Sequence, residues 1–139
     1  MVEKWTLSIE FSCYPKTGKS TITYVLYNIA MNKVLQSKRN VPGRTTNNKA
    51  YYIALVEGLG TTREYESNGI VVFTNYGLAC SQMKGVYQVK KERFKQLHGE
   101  AKNIVSQFQS FSIRHCANVN KMSTDLLYGA MPIKDLCER

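Results

Sequence analysis

The chain has 139 residues, 43% of them hydrophobic and 21% charged. That length suits a single domain spanning residues 1–139 with a real core, and the balance excludes a disordered chain. Nineteen Lys and Arg against ten acids leave a formal charge of +9, which favours polyanions such as nucleic acid or an acidic protein surface over a neutral partner, with a merely solvated basic face as the plain alternative.

Met1-Val2-Glu3-Lys4-Trp5 puts charges where a secretory signal needs an apolar stretch, and no apolar run is long enough to span a bilayer. The expectation is an intracellular protein, nuclear or cytoplasmic, with no membrane partner. Cys13, Cys80, Cys116 and Cys137 lack the paired short spacing of a zinc site and the density of a disulfide scaffold, so they read as reduced thiols.

Trp5, Leu7, Ile9 and Phe11 alternate with polar residues, the pattern of a strand with one buried face. Turn chemistry at Pro15 to Lys19 leads into a β-branched and aromatic run from Thr21 to Ile29, and a tight turn at Asn32-Lys33 into a third strand over Val34 to Arg39. After Pro42-Gly43, Thr46 or Asn47 can cap a helix whose Ala50, Ile53, Ala54, Leu55, Val56 and Leu59 form an apolar stripe ending near Gly58-Leu59-Gly60. Gly69 to Thr74 is a short continuous apolar run, the mark of a strand buried on both faces, and Leu78 to Met83 suits a short helix. From Lys90 to Phe108, Phe94, Leu97, Ala101, Ile104, Val105 and Phe108 recur at helical spacing. Ser110 to His115 alternates as a fifth strand, and Met122 to Ala130 suits a closing helix. The order predicts an α/β domain, an open mixed sheet with helices on its faces.

Four phrases in this order resemble the plant-type, reverse-transcriptase-like (retroelement) branch of the ribonuclease H family. Phe11-Ser12 resembles its "FDG", and Thr45 through Leu55 resembles "TTNNxAEYxAL". Asn75-Tyr76-Gly77-Leu78 with Gln82, Gly85 and Tyr87 to Lys90 resembles "DSxLVxxQxxGxYxVK", and Phe111 to His115 with Ser123 to Leu126 and Ala130 resembles the terminal "HxxR...AD.LA". The resemblance covers nearly the whole chain. It implies a ribonuclease H-like fold, with a five-stranded mixed sheet of three antiparallel strands followed by two parallel ones, flanked by helices.

The resemblance also implies an activity that this sequence does not equip. The family cleaves the RNA strand of a hybrid with two magnesium ions held by four acids, because paired divalent cations need several ionised oxygens aimed at one point. The matching positions here are Ser12, Tyr51, Asn75 and Thr124, none of them an acid. The only aspartates are Asp125 and Asp135. A rescue site from Glu10 and Asp125 is disfavoured, since one residue along a helix turns a side chain by about 100°. The expectation is therefore a degenerate site with no catalytic residue, no metal and no cofactor. Ser, Thr, Asn and Tyr leave hydrogen-bonding groups there, and Tyr51 reads equally as a ring that plugs the old site.

By the same resemblance, Thr46, Asn47 and Asn48 at a helix start correspond to nucleic-acid backbone contacts, with an ordinary cap and turn as the alternative. Lys84, Lys90, Lys91 and Arg93, with Lys95 nearby, fall where longer members carry a substrate-grasping protrusion. Their position at a predicted helix start opposes the macrodipole and favours a phosphate-holding role over a solvated face. Gln82 reads as a solvated side chain, and His98 and His115 lack partners for a triad. The expected function is a catalytically inactive ribonuclease H-like module binding RNA, hybrid or DNA through a basic cleft. The alternatives are a protein-interaction or homodimerisation module using the open sheet edge or its tyrosines, and, more remotely, an active hybrid nuclease with an unconventional site.

Overall fold

The computed structural model describes residues 5–14, 19–28, 33–41, 43–44, 46–64, 68–85, 88–90 and 92–116, with the backbone alone at 10–14, 33–34, 47 and 93. Three strands open it: β1 (Trp5–Tyr14), β2 (Lys19–Asn28) and β3 (Lys33–Val41). Then come α1 (Asn47–Glu64), β4 (Gly69–Thr74), α2 (Gly77–Met83), α3 (Glu92–Val105) and β5 (Ser110–His115). The closing helix expected over Met122 to Ala130, together with Thr124 and Asp125, lies outside the described residues.

The five strands form one sheet in the order β3-β2-β1-β4-β5. β1 pairs antiparallel with β2, and β2 with β3, while β4 runs parallel to β1 and β5 parallel to β4. The mixed sheet expected from the resemblance is therefore the one that forms. β1 differs from the one-faced strand read from its alternation, because Ser8 is as fully buried as Trp5, Leu7 and Ile9. Its central place explains this: Ser8 lies in register with Val25 on one side and Phe73 on the other, both buried. Alternation of residue type marks one apolar face, but a central strand is covered on both.

Helix α1 packs on the face of Trp5, Leu7 and Ile9, burying Ala50, Tyr51, Tyr52, Ala54, Leu55 and Leu59. It does not stop at Gly58 to Gly60 as the sequence suggests, but runs a further turn to Glu64. Gly58 is there for contact: a Cβ built on it would lie 2.8 Å from Leu7 Cδ2, so only glycine lets the helix sit this close to β1. Beyond it, Thr61 and Thr62 donate their hydroxyls to the carbonyls of Glu57 and Gly58, at 3.0 and 2.8 Å. On the exposed side Glu57 forms an ion pair with Arg39 of β3, a contact that fixes register more than stability at such exposure.

Helix α3 begins at Glu92 and packs against α1, with Phe94, Ala101 and Ile104 buried. Lys90 therefore precedes the helix instead of opening it. Its first turn holds an acid, Glu92, bonded to Lys95 at 3.0 Å. The opposition between basic residues and helix dipole expected there is thus largely relieved.

Candidate functional site

In a parallel β-α arrangement, side chains that meet a ligand gather where the strands end and the following helices begin. The last register pair of β1 with β4 is Ile9 with Thr74, so β1 continues past its neighbour and carries Ser12 about 10 Å beyond that pair, at roughly 3.3 Å per residue. Asn75, exposed, follows Thr74 directly. Tyr51 approaches from the first turns of α1. Three of the four positions matched to the family's acids therefore border one end of the sheet.

Tyr51 is the centre of this region and is fully buried. Its ring centroid lies 5.8 Å from that of Tyr52, edge-on, and 5.4 Å from that of Tyr76. Its hydroxyl interacts with Thr74 at the end of β4, whose own Oγ1 accepts the Tyr76 N–H at 3.0 Å. Burial pushes the Tyr51 phenol well above its ordinary range, outweighing the opposing pull of Thr74, so the ring stays protonated and neutral. Position 51 is thus filled by a buried, uncharged ring.

Two divalent cations do not fit these residues. Magnesium demands ionised oxygens in near-octahedral array, whereas position 51 offers a neutral enclosed phenol and position 75 an amide. Among the described residues no three His, Cys, Asp or Glu side chains come together as a candidate metal group.

Behind Tyr51, the polar core is continuous. Tyr52 donates its hydroxyl to Gln82 Oε1 at 2.8 Å, and His98 Nε2 lies 3.3 Å from the Gln82 carbonyl with its ring edge-on to Tyr52. Gln82 is therefore buried and bonded, correcting its reading as a solvated side chain. A glutamine on a seven-residue helix gives no local sign of this, because its partner comes from α1. His98 thus ties α3 to α2, and His115 is exposed at the end of β5.

Of the residues expected to hold nucleic acid, Thr46 is exposed and caps α1: its Oγ1 accepts the Lys49 N–H at 3.2 Å and its carbonyl the Ala50 N–H at 2.9 Å. Asn47 opens the helix, and Asn48 is half-buried with Oδ1 enclosed and lacking a hydrogen-bond partner among the described residues. Lys84 is exposed as the C-cap of α2, where a cation complements the helix dipole. Lys90 is exposed ahead of α3, Lys91 lies outside the described residues, and Arg93 is in the first turn of α3. The Tyr52–Gln82 bond joins the second turn of α1 to the end of α2, two residues before Lys84.

One feature escaped the sequence. Ser12 is in register with Thr21, and Thr21 with Asn40, so the same sheet end continues across β2 and β3. There a cavity of about 510 Å³ opens between the strand ends and the loop before α1. Lys19 and Arg44 border it, Thr21 donates to Asn40 Oδ1 at 2.9 Å on its wall, and no acid lines it among the described residues. Gly43, with φ of 75°, turns the loop that carries Arg44. Lys19 and Arg44 are separated by two whole strands, so only the hairpin pairing reveals them as neighbours.

Against known proteins, residues 11–126 match the model of a family described as reverse transcriptase-like. No curated protein matches the chain. Among solved structures it is similar to the N-terminal ribonuclease H domain of a Mycobacterium tuberculosis protein, at 25% identity and TM-score 0.79 over 93% of this chain and 99% of that one. Ribonuclease H1 of Halobacterium salinarum superposes at TM-score 0.76 with 18% identity, covering 91% of this chain and 99% of that one. LC11 ribonuclease H1, solved in complex with an RNA/DNA hybrid, gives 0.75 with 23% identity, covering 88% and 92%. The match across most of its length and the shared sheet make this chain a member of the reverse transcriptase-like family, a ribonuclease H-like domain of the retroelement branch.

Proposed function

We propose that this chain is a non-cleaving ribonuclease H-like module that binds nucleic acid along the end of its sheet. The observation that carries the reading is Tyr51, a buried, neutral ring at the position matched to the family's helix carboxylate. With Ser12, Asn75 and Thr124 at the other matched positions, none of the four carries an ionised oxygen to hold a metal pair. Binding is supported by family membership, by the net charge of +9 and by the exposure of Lys84, Lys90 and Arg44. A relative of this fold has been solved with an RNA/DNA hybrid, so that duplex is the first ligand to test. The cavity beside Lys19 and Arg44 suits a phosphate, since cations and amide or hydroxyl donors hold backbone without reading sequence.

The test is a fluorescence-anisotropy panel with hybrid, double-stranded RNA, duplex DNA and single strands, run beside a cleavage assay with magnesium and with manganese. The expected result is salt-dependent binding with intact substrate. Metal-dependent hydrolysis that survives repurification and is abolished by one substitution in this chain would sink the non-cleaving reading.

A further inference from the structure

A second cavity opens at the outer border of β5. About 420 Å³ in volume, it is lined by Phe111, Ser112, Ile113 and Arg114 together with Met83 and Lys84 at the end of α2. Successive residues of a strand point to opposite faces of the sheet, so a cavity touching four in a row follows the edge and not a face. β5 is the last strand of the sheet, with β4 on its other side.

The hydrogen bonds say which groups this edge presents. Ser110 donates its N–H to Asn68 O and Cys116 its N–H to Thr74 O, both on the β4 side. In a parallel ladder the direction alternates, so the intervening even residues also face β4, and Phe111, Ile113 and His115 turn their N–H groups outward. Among the described residues no acceptor meets those three N–H groups. The Ile113 carbonyl receives only a weak thiol contact from Cys80 at 3.8 Å. An open edge of this kind is a template for one more strand.

We infer that β5 takes up an extended acidic peptide as a sixth strand. Lys84 and Arg114 are both exposed, they stand on the two sides of the edge, and no acid lines the cavity among the described residues. An added strand would set one row of side chains against Met83 and Phe111, and the other beside Ser112 and Arg114. The fitting segment therefore alternates apolar residues with Asp or Glu, backbone bonds giving affinity and the alternate side chains giving selectivity. This site shares Lys84 with the nucleic-acid reading but uses the far edge of the sheet and not the strand ends at Ser12 and Asn75, and the amides of Phe111, Ile113 and His115 report on it alone.

A fluorescein-labelled eight-residue peptide alternating Val with Glu, titrated against the full chain, tests it by anisotropy. Amide exchange by NMR supplies the second readout. Binding should protect the amides of Phe111, Ile113 and His115 and leave those of Ser112 and Arg114 unchanged. The double variant K84E/R114E should weaken binding by roughly tenfold or more. A fully N-methylated peptide, which leaves the protein untouched, should not bind at all. Absence of binding, equal binding of the N-methylated peptide, or protection without the odd-numbered alternation would each overturn the proposal. So would a peptide-free dimer in which these amides are already protected, since a second copy would then own the edge.

Discussion

Removing the Tyr52 hydroxyl tests whether the buried polar core is held as a unit. Tyr52→Phe leaves Gln82 Oε1 buried with its donor gone, which costs about 1–3 kcal/mol for an unsatisfied buried acceptor. Gln82→Leu strands the Tyr52 hydroxyl instead and costs a similar amount, about 1–3 kcal/mol, while the His98 contact to the backbone carbonyl of residue 82 survives. The double variant replaces both partners with apolar groups, so it should be less damaged than the sum of the singles, with a coupling of about 1–2 kcal/mol. Urea unfolding followed by circular dichroism gives these values if the slope stays constant, and thermal midpoints should drop by roughly 4 °C per kcal/mol for a domain of this size. Additivity within about 0.5 kcal/mol would show that the two side chains are not coupled and would refute the reasoning.

Gly58→Ala should destabilise by about 1 kcal/mol, because crowding against Leu7 exceeds the gain in helix propensity. Gly60→Ala, with nothing within 4 Å of the new methyl, should instead stabilise by roughly 0.5–1 kcal/mol, and chemical unfolding of the two side by side reads the sign. Burial raises the Tyr51 and Tyr52 phenols above the ordinary 10.0, so their contribution to stability is intact below that pH and falls as pH climbs beyond it. Ultraviolet titration of the nine tyrosines should show at least two that ionise only as the chain unfolds, and a single normal step for all nine would contradict it. Replacing Lys84, Lys90, Lys91 and Arg93 with Ala should weaken hybrid binding and flatten its log–log salt slope by about 0.9 for each lost phosphate contact. An unchanged slope would move the interface to the Lys19–Arg44 side.

Local pattern carried much of the fold. Gly69 to Thr74 and Ser110 to His115 form strands at the limits read from composition and alternation, because short apolar runs bounded by turn residues have few other structures to adopt. What failed needed a partner from far along the chain. The two glycines that seemed to end α1 do not, since one is spent on the approach to Leu7 and the helix gains its support from β1. Gln82 reads as solvated until Tyr52 is set above it, and the cavity beside Lys19 requires the β2–β3 pairing before Arg44 comes near. The neutral residues at 12, 51 and 75 were legible as residue types, whereas the packing of Tyr51 against Tyr76 and Thr74 is visible only in the fold.

On the proposed reading, neutral groups in place of acids alter more than catalysis. A carboxylate about 4 Å from a phosphate repels it by roughly 4 kcal/mol at an effective dielectric of 20, so an acid-lined site without its cations opposes the backbone it is meant to hold. Metal ions reverse that sign, and affinity at such a site is tied to their presence. With Tyr51 buried and uncharged and Asn75 offering an amide, those two positions exert no such repulsion, and the chain as a whole carries a net charge of +9. A module of this kind should therefore hold a duplex equally well after exhaustive treatment with a chelator. Binding that collapses on chelation and returns with magnesium would place a metal between protein and phosphate, and with it the charged ligands that positions 51 and 75 do not supply.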